Sequence, residues 1–98
     1  MKISSLSVEY LHVDIECSVN PTSDSVSFAF MNTTGAPGVS DWVSGSWDNT
    51  ITSSPYRAKC LIGTGGKVLA TGSYIIWVKV TDSPEIPVRK LSDTLVVF

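Results

Sequence analysis

The chain has 98 residues, 43% of them hydrophobic and only 16% charged, with a formal net charge of −2. That length predicts one domain spanning 1–98, large enough for an independent core but a modest one. The charge balance excludes nucleic acid as a partner: gripping a phosphate backbone takes several clustered cations, and the longest basic run is Arg89-Lys90.

Serine and threonine take the place of the missing charges. A polar, weakly charged exterior suits extracellular and virion β-proteins, and proteins whose faces are covered by neighbours. The opening "MKISSLSVEYLHVDIE" has Lys2 where a signal peptide carries its positive end, but Ser4, Ser5, Ser7 and Glu9 interrupt the apolar run that would have to follow. No apolar run approaches membrane-spanning length. The expectation is a chain made in the cytoplasm, with no export signal of its own and no membrane partner. Met1 at the start and an apolar strand ending at Phe98 suggest a complete gene product rather than a domain cut from a longer adhesin.

No ten-residue stretch has the period of an amphipathic helix; apolar residues recur at period two. Leu6, Val8 and Tyr10 alternate on even numbers. Leu11, Val13, Ile15, Cys17 and Val19 then alternate on odd ones, with His12, Asp14, Glu16 and Ser18 opposite. The change of parity between Tyr10 and Leu11 predicts a bulge or bend there. "NPTSD", Asn20 to Asp24, is a turn cluster. "SVSFAFM" points Val26, Phe28 and Phe30 inward, and "NTTGAPG" is a loop. Its sequon Asn32-Thr33-Thr34 is read as chance in a chain without a secretory signal. Trp42 and Trp47 are five apart, which fits neither clean period, so a short irregular strand around Trp42 is predicted, with Gly45 allowing a bulge or turn. Tyr56, Ala58, Cys60 and Ile62 alternate against Arg57, Lys59 and Leu61. "GTGG", Gly63 to Gly66, is a tight turn, and "KVLATG" a short strand and turn.

"SYIIWVKVTD" is the strongest strand. Tyr74, Ile76, Val78 and Val80 take one face; Ile75, Trp77, Lys79 and Thr81 take the other. Pro84 and Pro87 follow. They donate no ladder hydrogen bond, so a central strand cannot continue through them, and a long extended connection is expected before a last strand over Thr94 to Phe98. Glu85 and Arg89 flank that connection and are placed to pair. The sum is an all-β chain, a single immunoglobulin-like β-sandwich of about seven antiparallel strands. Tyr74 stands where such folds place a tyrosine corner, but Ile76 replaces the cysteine expected two residues on. Cys17 and Cys60 do not fall in the usual bridge slots. They read as two buried thiols, with a Cys17–Cys60 bridge across the sandwich as the alternative.

Catalytic and metal chemistry finds little to stand on. His12 is the lone histidine, on an outward strand face with Asp14, and no G-x-S-x-G provides a nucleophile. Asp14 with Glu16, and Asp82 with Glu85, are carboxylate pairs that nothing marks as desolvated. "GTGG" has no G-K-[ST] after it. Asp41 with Asp48 is a weak calcium pattern. No enzyme activity, cofactor or metal is predicted. The tryptophans carry the remaining functional signal. One of Trp42 and Trp47 is expected in the core. Trp77, beside Ile75 and Lys79, marks a contact patch if its face is open, and Trp42, Trp47 or Trp77 could instead stack on a sugar. Trp77, Ile75, Lys79, Trp42, Trp47, Glu85 and Arg89 are therefore the candidate partner-binding residues.

Taken together, "DSVSFAFM", "DWVSGSWDN", "YRAKCLIGTGGKV" and "TGSYIIWVKVTDSPEIPVRK" resemble small virion-associated proteins of tailed phages of actinobacteria, encoded among head and tail genes. Their pattern is V-x-F-A-F, W-x4-W, A-x-x-L-(V/I)-G-x-G-G, then G-x-Y-x-(V/I)-W-V-x-(V/I)-T-D-x-P-E-x-P-V-R. It falls here on Val26, Phe28, Ala29 and Phe30; on Trp42 and Trp47; on Ala58, Leu61, Ile62, Gly63, Gly65 and Gly66; and on the run from Gly72 to Arg89. The "YIIWVKVTDSPEIPVR" run is the most specific part. The resemblance implies a non-enzymatic structural or accessory protein of the virion, made in the host bacterial cytoplasm. It would be a capsid decoration or a head-tail or tail component that binds other phage capsid or tail proteins, with self-association or symmetric assembly. A carbohydrate- or host-surface-binding module is the alternative, with a glycan as partner.

Overall fold

The structure is a computed structural model and describes residues 1–17, 19–81 and 86–98. Among these residues, eight strands form two sheets. The larger contains β1 (Lys2–Ile3), β3 (Ser25–Met31), β4 (Trp42–Ser44), β7 (Gly72–Thr81) and β8 (Val88–Val97), in the order β1-β8-β7-β3-β4. The smaller contains β2 (Glu9–Ile15), β5 (Ser46–Trp47) and β6 (Tyr56–Ile62), in the order β2-β6-β5. All pairings are antiparallel except β1 with β8. A short 3-10 turn, Val39–Asp41, leads into β4.

Alternation builds the core between the sheets. Val26, Phe28 and Phe30 of β3, Ile76 and Val78 of β7, and Leu95 and Val97 of β8 face Leu11 of β2 and Tyr56, Ala58, Cys60 and Ile62 of β6. Phe28, Ile76 and Leu95 have no exposed surface. Burying a side chain of that size stabilises the fold by about 1.5–3 kcal/mol each. The predicted faces of β3, β6 and β7 all hold. The glycine turn holds too: Gly63 and Gly65 have φ of 112° and 90°, and Leu61 O accepts from Lys67 N across it. Tyr74 Oη donates to Ala70 O at 2.7 Å, tying the start of β7 to the loop before it.

Several expectations are corrected. There is no bulge between Tyr10 and Leu11. β2 pairs with β6 in one register over all seven residues, and Tyr10, His12 and Asp14 share its outer face. The even-numbered alternation belongs to a loop: Ser7 N donates to Ser4 O and Leu6 N to Ser4 Oγ, turning the chain and leaving Leu6 and Val8 exposed. β2 stops at Ile15, so Val19 is outside it. "KVLATG" contributes only a bridge between Ile62 and Lys67. β8 begins at Val88, not Thr94, and Val80 N already bonds Pro87 O. Pro87 therefore precedes the strand rather than sitting inside a long connection; Pro84 lies outside the described residues. β8 carries two more residues than β7 between the Ile75–Thr94 and Trp77–Lys90 pairs, which keeps the same faces on either side.

The five-residue spacing of Trp42 and Trp47 has a plain cause. The chain changes sheets between them, at Gly45. Gly45 N donates to Val26 O, and a Cβ there would come within 2.5 Å of the Phe28 ring and 2.9 Å of Lys59 O. Cys17 is half-buried, Cys60 is buried, and both are free thiols. Cys60 pairs across from Leu11. Cys17 lies two residues beyond the end of β2, past the four strand residues (about 13 Å) that follow Leu11, so it is not opposite Cys60.

Candidate protein-binding face

The outer surface of the larger sheet holds the candidate site. In a ladder, directly paired residues point to the same side. Ala29 pairs with Trp42 on β4 and with Trp77 on β7, and Trp77 pairs with Lys90 on β8. This gives one row across four strands: Trp42, Ala29, Trp77, Lys90. Ala29 is fully buried although it faces outward, because two half-buried indoles close over it. The next rows are Ser44, Ser27, Lys79 and Val88 on one side, and Met31, Ile75 and Thr94 on the other. Lys79 Nζ sits 4.4 Å from the centre of the Trp42 ring, a cation–π contact. The Trp77 indole N–H is buried and meets no acceptor among the described residues. A buried donor left unpaired costs about 1–3 kcal/mol.

The face is apolar at its middle and cationic around it. Lys79, Lys90 and Lys2, which pairs with Val96, all lie on it, and none of its paired positions carries a carboxylate. The outer face of the smaller sheet is different. Asp14 bonds Arg57 at 3.0 Å, raising the guanidinium's already high pKa through that hydrogen bond and the opposite charge. Lys59 lies over Tyr10, and the Tyr10 and His12 rings stack at 6.5 Å. That surface is a satisfied, balanced polar face.

Trp77, Ile75 and Lys79 therefore fall together as the strand pattern implied, and Trp42 joins them. Trp47 does not. It lies on the smaller sheet, buried, with its indole N–H donating to Asp24 O at 2.9 Å, because the crossing at Gly45 turns it into the core. Arg89 does not join them either: it pairs with Val78, whose side chain faces inward, so it points toward the gap between the sheets. There it lines an open cleft of about 840 Å³ with Val13, Ile15, Val80 and Leu91. Glu85, and the Asp82–Glu85 pair, lie outside the described residues. Ala29, Met31, Val88 and Lys90 belong to the face and were not singled out. The alternation of "SVSFAFM" already sent Ala29 and Met31 outward, whereas Val88 and Lys90 were hidden by the misplaced start of β8.

The remaining polar candidates serve local structure. Asp41 accepts from Gly38 N at 2.7 Å. Asp48 accepts from the Thr50 hydroxyl and amide, which hold its carboxyl below the usual range. Among the described residues no group of three or more His, Cys, Asp or Glu side chains is arranged to hold a metal, and no helix is long and apolar enough to cross a membrane. Comparison of the chain with protein-family models, with curated proteins and with solved structures gives no match.

Proposed function

We propose that this protein is a non-enzymatic, immunoglobulin-like binding domain of a tailed-phage virion, docking onto capsid or tail proteins through the outer face of its larger sheet. The observation that carries the reading is the Trp42–Ala29–Trp77 row with its lysines. Aromatic side chains on the outer face of a sheet are among the residues that dominate protein interfaces. The immunoglobulin-type assignment is supported by the strand order. β1-β8-β7-β3-β4 over β2-β6-β5 follows the A′-G-F-C-C′ over B-E-D arrangement, and the Tyr74 to Ala70 bond has the form of a tyrosine corner. The virion setting rests on the resemblance of the Gly72 to Arg89 run. A protein partner fits better than a sugar, because Lys79 occupies the ring face of Trp42 on which a sugar would stack.

The test is peptide mass spectrometry of gradient-purified particles with heads and tails separated. A stoichiometric amount in heads makes the protein a decoration or connector part. The same in tails makes it a tail component. Absence from both ends the virion reading, and tryptophan fluorescence against a sugar panel then decides for or against the glycan alternative.

A further inference from the structure

We propose that the protein also self-associates, by antiparallel pairing of β2 with β2 of a second copy. The sheet edges are not alike. β4 has three residues, β5 two, and β8 is capped by β1 at Val96–Val97 and carries its two-residue register shift further along. Short, bulged or covered edges are how sheets avoid pairing with other chains. β2 has none of these guards: seven residues, one unbroken register with β6, no proline. On the far side of β6, Arg57 O accepts from Asp48 N and Leu61 O from Lys67 N. The odd-numbered backbone groups of β6 therefore point away from β2, and the even-numbered ones point toward it. Glu9, Leu11, Val13 and Ile15 spend their backbone groups on β6, so Tyr10, His12 and Asp14 turn theirs outward from the edge.

The side chains choose the occupant and the register. With Val13 on the two-fold axis, His12 lies opposite Asp14 of the second copy and Tyr10 opposite Glu16, twice each by symmetry. Imidazole and phenol then face carboxylates. On the inner side Leu11 lies opposite Ile15. Val13 and Ile15, only half-buried in one copy, gain apolar neighbours. Moving the register by two residues loses the His12–Asp14 match in either direction: one way sets His12 against His12, and the other sets Asp14 against Asp14, with His12 opposite Glu16. The strand is self-complementary, and the result is one continuous six-stranded sheet on a closed two-fold interface. It leaves the Trp77 face free.

Sedimentation equilibrium of the full chain, with amide hydrogen exchange, tests this. The expected result is a reversible dimer whose formation protects the amides of Tyr10, His12 and Asp14 as concentration rises. His12→Asp opposes two carboxylates on each side of the axis and should weaken the dimer about ten-fold, while His12→Thr changes it about two-fold or less. His12 is exposed on the monomer, so far-UV circular dichroism of both variants should match the parent. A monomer at every concentration overturns the proposal. So does a dimer insensitive to His12→Asp, or one abolished by Trp77→Ala instead. Virion mass spectrometry is independent of all these outcomes.

Discussion

Trp42, Trp47 and Trp77 are one residue type in three energetic situations. Trp47 is buried with its N–H paired to Asp24 O, so Trp47→Ala removes core packing and a hydrogen bond together. It should destabilise the protein by about 3–5 kcal/mol in urea unfolding. Trp77 covers Ala29 from outside and carries an unpaired buried N–H. Trp77→Ala loses apolar burial but also removes that orphan donor, so the loss should be only about 1–2 kcal/mol. Its effect on partner binding should be larger, about 30-fold or more, as for a central interface aromatic. If Trp77→Ala costs as much stability as Trp47→Ala, Trp77 is core and the face is not a docking surface. The thiols make a second contrast. Burial pushes the Cys60 thiol from 9.0 up to about 11, so in the native protein a thiol reagent at pH 8 should label Cys17 first. Cys60 should follow only on unfolding. The sign for stability follows from proton counting. Below pH 9 both folded and unfolded chains hold this proton. Between about 9 and 11 the unfolded chain has lost it while the native chain keeps it. Stability should therefore fall with rising pH across that window, by up to about 2.7 kcal/mol, and Cys60→Ala should flatten the fall.

At the scale of elements, Gly45 is where one strand ends and the chain leaves for the other sheet. A methyl there meets the Phe28 ring and Lys59 O, one a packed core ring and the other backbone, so neither yields cheaply. Gly45→Ala should cost about 2–3 kcal/mol and should move Trp47 emission, because it displaces the β5 end of the crossing. Gly35, whose nearest neighbour would be a Thr33 hydroxyl at 3.8 Å, is the control that should cost little. This crossing shows what the sequence makes legible and what it hides. β3, β6 and β7 could be read face by face, because each packs one side into the core and turns the other outward, so period two survives. So could the tight glycine turn. The Trp42–Trp47 spacing could not be read, since two residues on different sheets obey no common period. The parity break at Tyr10 misleads for a related reason: Leu6 and Val8 alternate, but in a loop, where alternation carries no ladder. The start of β8 was hidden by Pro87, which forbids a donor at its own position and says nothing of Val88 beyond. Trp77's side of the sheet was readable. That Trp42 would stand beside it was not, because which strands become neighbours is fixed by long-range pairing.

For the whole molecule, the two outer faces differ in charge, and the proposed docking can be tested on that difference. The chain is net negative, yet the larger sheet presents Lys2, Lys79 and Lys90 around Trp42 and Trp77 with no carboxylate at a paired position. The smaller sheet balances Asp14 and Asp48 against Arg57 and Lys59. Positive charge is therefore concentrated on the larger sheet, and on the docking proposed above its partner should be apolar at its centre and acidic at its rim. Rim charges act mainly on association rate and lose their effect when salt shortens the screening length to a few ångströms. Lys90, exposed and next to Trp77 in the row, is the cleanest probe, since Lys79 is already engaged over Trp42. On the proposed virion role, Lys90→Glu should slow rebinding to particles stripped of the protein by about ten-fold at low salt, with the difference shrinking toward 1 M salt. Lys59→Glu makes the same change of charge on the other face and should leave that rate within about two-fold. Equal slowing by the two variants would mean that total charge, not the tryptophan face, guides the encounter. The docking surface would then have to be sought on another side of the sandwich.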